Sequence, residues 1–201
     1  TATLATDLMK IRQVRVFSPN AEHREAFKAR IASEKVEVIP VDDPREVVRG
    51  AHIVCCATNA ITPVLQGEWL EPGQMLVTIV NSDVIETRSE VDEDTFARAR
   101  DIIVNDWEGV VVNRQIELLD PINKGLVKRE HVHELRDIVA GKVDVRQSPG
   151  EILYYKNNTG LAIQFAACGA ILYKKLIAEG TNRTIPRDWF ASQKYSIPPA
   201  G

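Results

Sequence analysis

The stretch Met75-Leu76-Val77-Thr78-Ile79-Val80-Asn81-Ser82-Asp83 decides the fold class. It opens as an apolar run broken only by Thr78 and is entered through the turn pair Pro72-Gly73. So short a run between turn residues marks a parallel strand covered on both faces. The chain then turns polar at once, with Asn81, Ser82 and Asp83. In open parallel sheets, ligands sit just beyond the carboxyl ends of the strands. Asp83 is therefore the first ionisable group standing where chemistry is expected. The alternative use of an aspartate after a strand is an Asx-turn or a helix cap. The charged run Glu86 to Asp94 that follows reads as a solvated turn and the start of a helix.

Working outward, strands alternate with helices. Upstream, Thr1 to Ile11 has helical spacing at Leu4, Leu8 and Ile11. It lacks a cap and a preceding strand, which implies residues upstream. Val14 to Phe17 reads as a strand, broken by Ser18-Pro19-Asn20. Asn20 caps a helix over Ala21 to Ala32. Val36 to Val41 is a strand, and Asp42 or Asp43 caps a short helix with Pro44 in its first turn. Gly50 closes that helix. Ala51 to Ala57 is an apolar strand, followed by the polar loop Thr58-Asn59-Ala60 and a turn-rich connection from Leu65 to Gly73.

Downstream, the pattern predicts a helix over Glu90 to Arg100 and a strand over Asp101 to Asn105. Helices follow over Trp107 to Leu119 and His131 to Ala140, with a loop over Pro121 to Arg129 between them. A strand over Glu151 to Tyr155 leads into Lys156-Asn157-Asn158, with Asn158 or Thr159 as cap. A long helix runs from Gly160 to Glu179 and is stopped by Gly180. Its small residues permit close approach of another helix. The tail is Pro-rich, with Trp189 and Phe190 as anchors and a low-complexity end from Pro198. This order predicts an α/β fold, a mainly parallel sheet with helices on both faces. The polar junctions at Ser18, Thr58 and Asn81 line one edge of that sheet, as in a nucleotide-binding half. No Gly-x-Gly-x-x-Gly occurs. Such a phosphate loop is expected immediately before Thr1.

Composition narrows the function classes. The chain has 201 residues, a net charge of -3 and 44% hydrophobic content, enough for one good-sized domain or a domain with an appendage. Its even, mildly acidic charge offers no nucleic-acid surface. The longest uncharged helical stretch, Thr159 to Tyr173, falls short of the roughly 20 residues a membrane span needs. No signal-peptide pattern opens the chain, and three cysteines make no disulfide framework. Buried, reduced thiols in a cytoplasmic protein are the expectation. Cys55 and Cys56 point to opposite faces of a strand. His131 and His133, two apart on the expected helix, diverge by about 200°. Neither pair is expected to hold a metal.

Several stretches together resemble the ornithine cyclodeaminase/mu-crystallin family, over nearly the whole chain. They are Val14 to Ser18, Ala51 to Asn59 with Pro63-Val64-Leu65, Gly67 to Gly73, Val132 to Leu135 with Ala140-Gly141, and Tyr155 to Gln164. Order and spacing carry the resemblance. It implies a Rossmann domain over residues 1–158, lacking its amino-terminal part, and a segment over 159–201 that returns to a substrate and dimerisation domain. It also implies a homodimer, NAD as cofactor with NADP as the alternative, and a small amino acid or cyclic imino acid as substrate. The family's catalytic carboxylate follows a valine-glycine-small sequence. Val80-Asn81-Ser82-Asp83 matches it, with Asn81 in place of glycine, so the resemblance selects Asp83. It departs in having no proline before Glu90 and one extra residue of spacing.

By the same resemblance, Ser18 and Asn20 lie near the adenosine ribose, and Ala57, Thr58 and Asn59 along the ribose and pyrophosphate. Val80 and Asn81 lie near the nicotinamide, with Lys156, Asn157 and Gly160 closing the site. Ser18 ends its strand without the acid that selects NAD, and Pro19 stands where NADP users often have arginine. The implied chemistry is hydride removal from the amine-bearing carbon, with Asp83 as acid/base. It covers cyclodeamination, amino acid dehydrogenation and ketimine reduction. The main rival is a non-enzymatic, mu-crystallin-like protein holding a dinucleotide and a small ligand. A second rival is a scaffold remnant without the phosphate loop.

Overall fold

The computed structural model describes residues 10–32, 36–83, 85–158, 160 and 162–180. Every strand pairing in it is parallel. Strands β1 (Gln13–Val16) and β2 (Glu37–Pro40) form one sheet. A second sheet has the order β3-β4-β7-β5-β6, from β3 (Ile53–Cys56), β4 (Met75–Thr78), β5 (Ala99–Val104), β6 (Val132–Glu134) and β7 (Ile152–Lys156). In the doubly wound order 3-2-1-4-5-6, β2 and β1 take positions three and two. Strands β3, β4 and β7 take positions four, five and six. Position one falls between the two sheets. The fold is thus α/β, with a five-stranded parallel sheet flanked by helices.

Period-2 alternation in the strands builds the core on both faces of the larger sheet. Val54, Leu76, Ile102, Val104 and Tyr154 face one side, where they pack with Phe96, Val110 and Leu118. These three come from α3 (Glu93–Arg98), α4 (Trp107–Val112) and α5 (Ile116–Asn123). Met75, Ile103, Leu153 and Tyr155 face the other side, against Leu135 and Ile138 of α6 (Leu135–Val139). Leu76, Ile102 and Leu118 are fully buried, and each such side chain contributes about 1.5–3 kcal/mol. Phe96 meets Tyr154 edge-on, with ring centroids 5.5 Å apart.

Two caps match their expectation in kind and place. Asn20 Oδ1 accepts from Glu22 N at 2.8 Å to start α1 (Ala21–Ile31). Of the two candidates, Asp43 caps α2 (Pro44–Val48), accepting from Arg45 N at 2.8 Å.

Other expectations need correction. The opening helix falls mostly on residues 1–9, outside the described residues, and Lys10 already has a φ of 51°. The helix over Glu90 to Arg100 shortens to α3, because Asp92 caps it late and Ala99 joins β5. The helix over Trp107 to Leu119 breaks at Arg114, whose φ is 50°. It restarts as α5, which carries Pro121 within it rather than in a loop. Tertiary contacts explain the break: Gln115 and Glu117 are pulled inward to polar partners described below. The helix over His131 to Ala140 is a 3-10 turn at Arg129–His131, then edge strand β6, then α6. Val132-His133-Glu134 pairs alongside Ile102–Val104, and three residues are too few to show a strand period. Lys156 belongs to β7, paired with Thr78 and Val104, rather than to the loop after it.

The chain divides into two units, Thr1–Thr159 and Gly160–Gly201. The described part of the second is essentially one helix, α7 (Ala162–Glu179). Ile163, Phe165, Ile171, Leu172, Tyr173 and Ile177 are exposed on it in this chain. The tail anchors Trp189 and Phe190 lie outside the described residues. Among the described residues, no helix is long and apolar enough to cross a membrane.

Candidate active site at the carboxyl edge

The carboxyl ends of β3, β4, β7 and β5 meet at one edge, where a buried polar lattice ties their loops together. Glu90 is its first node and is 1% exposed. Its Oε1 accepts from the backbone N and the hydroxyl of Thr58, both at 2.7 Å. Its Oε2 accepts from Ile79 N at 2.9 Å and Val80 N at 3.0 Å. One carboxylate thus joins the loop after β3 to the end of β4. Glu90 lies inside the charged run read as solvated. That reading fails because its partners are amides that the fold, not the local sequence, brings to it.

The second node is an ion pair. Lys156 Nζ lies 2.7 Å from Glu117 Oε1, with side chains 1% and 3% exposed. Lys156 also donates to Asn81 Oδ1 at 2.8 Å and to the Val80 carbonyl at 3.3 Å. Glu117 Oε1 accepts from Ser82 N at 3.0 Å. Burial pushes the Lys156 ammonium below the usual lysine range, and the adjacent Glu117 carboxylate pulls it back. Glu117 Oε2 and Gln115 Oε1 are buried and have no hydrogen-bond partner among the described residues.

Asp83 stands above this lattice, exposed at the tip of the β4 loop. Its Oδ1 accepts from Ile85 N at 2.7 Å and Glu86 N at 2.9 Å. These amides, Glu86 first and Ile85 second, hold the carboxyl below the usual aspartate range, and Arg88 adds to the effect. The Asx-turn is real, and it coexists with a charged carboxylate presented to solvent. Ser82 fixes the same turn from beneath, its hydroxyl accepting from Arg88 N at 2.8 Å and donating to the Arg88 carbonyl at 3.0 Å.

The remaining residues singled out from sequence fall into three groups. Ala57, Thr58 and Asn59 are exposed after β3. Val80 is buried, and Asn81 is held by Lys156. Asn157 N donates to the Thr78 carbonyl at 3.0 Å, and its Oδ1 accepts from Asn105 Nδ2 at 2.5 Å. The structure brings this set together along one edge. Ser18 and Asn20 lie instead on the loop after β1, in the smaller sheet. There Arg24, from the first turn of α1, donates to the Ser18 carbonyl at 2.5 Å and pairs with Asp42. A guanidinium therefore stands beside Ser18 despite Pro19. Gly160 belongs to the second unit.

Sequence reasoning missed Glu117, Gln115 and Asn158 as well as the role of Glu90. Asn158 accepts from Asn105 N at 2.7 Å, and its carbonyl accepts from Gln115 Nε2 at 2.9 Å. The one available signal was a lone carboxylate, Glu117, set in the apolar run Ile116 to Leu119. At the start of β5 and β6, His133 Nε2 and His131 Nδ1 converge on Asp101 Oδ1 at 3.0 and 3.3 Å. They share a side because His133 lies in β6 and His131 immediately precedes it, and residues two apart along a strand point to the same face. The expectation of buried thiols holds only for Cys56 of β3; Cys55, on the opposite face of that strand, and Cys168 are exposed. Burial, then Glu90, pushes the Cys56 thiol up to about 12.

Comparison with known proteins places the chain in a family and agrees with its fold. The pattern that defines the ornithine cyclodeaminase/mu-crystallin family matches residues 1–180. The uncharacterized cyclodeaminase y4tK of Sinorhizobium fredii is 34% identical over 168 residues, 82% of this chain and 49% of that protein. A Delta(1)-pyrroline-2-carboxylate reductase of Bacillus cereus is 32% identical over 144 residues, 71% of this chain and 43% of the reductase. The solved Delta(1)-pyrroline-2-carboxylate reductase of Thermococcus litoralis, in complex with NADH and L-proline, superposes with a TM-score of 0.74 at 25% identity. That match covers 87% of this chain and 53% of the reductase. The chain spans about half the length of the curated relatives it matches. With the family's pattern matched over most of its length and a lattice of loops at the expected sheet edge, the chain belongs to the ornithine cyclodeaminase/mu-crystallin family.

Proposed function

We propose that the chain forms the dinucleotide-binding part of an NAD(P)-dependent enzyme. Its substrate is a small amino acid or cyclic imino acid, and the reaction is hydride transfer at the amine-bearing carbon. The observation that carries this reading is the exposed Asp83 carboxylate, held ionised at the end of a buried parallel strand above a fixed polar lattice. The loops after β3 and β4 suit the ribose and nicotinamide of such a cofactor. They are tied to each other through Glu90, and they leave Ala57, Thr58, Asn59 and Ile79 exposed. Ser18 and Asn20 suit the adenosine ribose, and Lys156 and Asn157 brace the nicotinamide side from below. The glycine-rich turn that supplies backbone donors to the pyrophosphate is not in this sequence. It belongs with a strand at position one.

A bound nicotinamide dinucleotide supplies the hydride acceptor or donor. The chain's own residues supply placement and charge. Asp83 accepts a hydrogen bond from the substrate amine and stabilises the positive charge that grows there as the C–H electron pair leaves. As an ionised carboxylate it can take a proton from water or an amine that adds to the resulting imine. NAD is the preferred cofactor in this reading, with NADP as the alternative because Arg24 stands beside Ser18. Homodimerisation through the apolar surface of α7 and a cytoplasmic setting complete the proposal.

One observation favours the rival binding role. Asp83 Oδ1 is already engaged by two amides, as a turn residue would be. Asparagine makes the same turn, so Asp83→Asn separates the two. The intact protein should turn over at least one of ornithine, alanine and proline-like cyclic imines with NAD(H) or NADP(H). The variant should lose about 10²–10⁴-fold in kcat, the usual contribution of a positioned proton-transfer group, with dinucleotide affinity kept. Undiminished turnover in the variant would remove Asp83 from the chemistry.

A further inference from the structure

We propose that Glu117 is a positioning residue for the Asp83 turn, acting with Lys156 as a buried clamp on residues 80–82; this rests on Asp83 being the working carboxylate. Glu117 lies on α5, 34 residues downstream of Asp83 in the sequence. Its Oε1 nevertheless holds the amide of Ser82, the residue before Asp83, at 3.0 Å. The same oxygen meets Lys156 Nζ at 2.7 Å. Lys156 in turn holds the Val80 carbonyl at 3.3 Å and Asn81 Oδ1 at 2.8 Å. Consecutive residues of the β4 loop are thus gripped by two oppositely charged side chains from α5 and β7.

A buried ion pair is weak evidence for stability, since its desolvation offsets much of its attraction. What this pair does add is fixed geometry. The Asp83 carboxylate is itself exposed, and its own two hydrogen bonds are to the amides of Ile85 and Glu86, which move with the turn. Those bonds shape the turn without anchoring it to the sheet. The anchors beneath it run through Ser82 and Asn81, and hence through Glu117 and Lys156. The sheet ends at Lys156 in β7, so the clamp fixes how far the turn stands from the carboxyl edge. Small misplacements of a reacting group matter: about 1 Å costs on the order of 10²-fold in rate.

The test compares two double variants of the intact protein, each free of a lone buried charge. Glu117→Gln/Lys156→Met keeps an oxygen for the Ser82 amide, whereas Glu117→Met/Lys156→Met removes it. The expected result is a kcat about 10–100-fold lower in the Met/Met protein than in the Gln/Met protein. KM and the Kd for NADH should match between the two, and amide exchange at Ser82 should be faster in Met/Met. Equal kcat and equal Ser82 exchange in the two variants would overturn the proposal. So would a difference confined to KM or Kd, which would make these residues ligand contacts. Hydrogen exchange in the wild-type protein covers the case in which a double variant does not fold. Ser82 must there be protected to the level of β4 amides despite lying in a loop, and rapid exchange overturns the clamp. That arm needs no substrate, so it stands apart from the functional reading, which fails instead if the wild-type protein turns over nothing on the panel.

Discussion

Replacing Glu90 with glutamine is the sharpest probe of the lattice, because each oxygen of Glu90 serves two donors. Oε1 holds the amide and hydroxyl of Thr58, and Oε2 holds the amides of Ile79 and Val80. Gln keeps the shape and turns one acceptor into a donor. If its NH2 faces Ile79 and Val80, two amides lose their acceptor at a site where the side chain is 1% exposed. If it faces Thr58, the hydroxyl can rotate to accept, and only the Thr58 amide is orphaned. The second arrangement is cheaper and sets the expectation. Hydrogen bonds to a charged acceptor contribute about 1.5–3 kcal/mol each. Losing one outright and weakening the others to neutral strength should cost about 2–4 kcal/mol. A domain of this kind has about 5–15 kcal/mol in all, so Tm should fall by about 4–16 °C. Urea denaturation of the intact protein measures this, with exposed Glu68→Gln as a control expected within about 0.5 kcal/mol of wild type. Amide exchange should speed up at Thr58 and stay slow at Ile79 and Val80. A loss below about 1 kcal/mol, or loosening at Ile79 and Val80 alone, would refute the reasoning.

Gly67→Ala should destabilise by about 1–3 kcal/mol through overpacking, since a Cβ there would sit 2.3 Å from Thr95 N, whereas Gly150→Ala enters open space and serves as control in the same melts. The amides that hold the Asp83 carboxyl down also fix the sign of its pH dependence. A depressed folded-state pKa gives stabilisation that is present above the unfolded value and lost as pH falls through the folded one. The acid limb of turnover due to Asp83 should therefore lie below the ordinary aspartate range, and a limb above that range that disappears in Asp83→Asn would contradict this. Cys56, buried and pushed up to about 12, should resist alkylation at pH 8 until the protein unfolds, while exposed Cys55 is modified first, as peptide mass spectrometry would show. Leu172→Asp on α7 should convert the dimer expected for the intact protein to monomer in sedimentation, and an unchanged dimer would move the interface off this helix.

Much of the fold was legible because its signals are local. The apolar run Met75 to Val80 reads as a covered strand from a few adjacent residues; Met75–Thr78 is one, paired on both sides, while Ile79 just beyond it is exposed. Asn20 and Asp43 reveal their helices because each caps an amide two residues on. Errors arose where long-range contacts overrode local preference. Three valines and Asn113, the C-cap, weaken the helix locally, but they do not by themselves fix the break at Arg114. It arises because Gln115 and Glu117 reach inward, to the Asn158 carbonyl and the Ser82 amide. Val132-His133-Glu134 is held as a strand by its neighbour β5, and alone it looks like the start of a helix. The split into two sheets was equally hidden, since which strands pair is set by long-range contacts that no local pattern marks.

The same distinction separates the parts of the candidate site. Asp83 was visible because its turn partners are Ile85 and Glu86, and because a strand end is itself a local signal. Glu90 and Glu117 were invisible because they bind backbone amides, which every residue but proline carries and no sequence pattern marks. Glu90 reaches Thr58, 32 residues upstream, and Glu117 reaches Ser82, 35 residues upstream. A charged run gives no hint of which member will be buried. What distinguishes Glu90 from its neighbours is only that the ends of β3 and β4 leave donors converging on it. The exposed carboxylate is thus written in the sequence next to it, while its placement is carried by acids that are chemically ordinary and set by topology. Substitutions of such residues should therefore shift Asp83 without touching it, and keeping the turn residues alone should not keep the site.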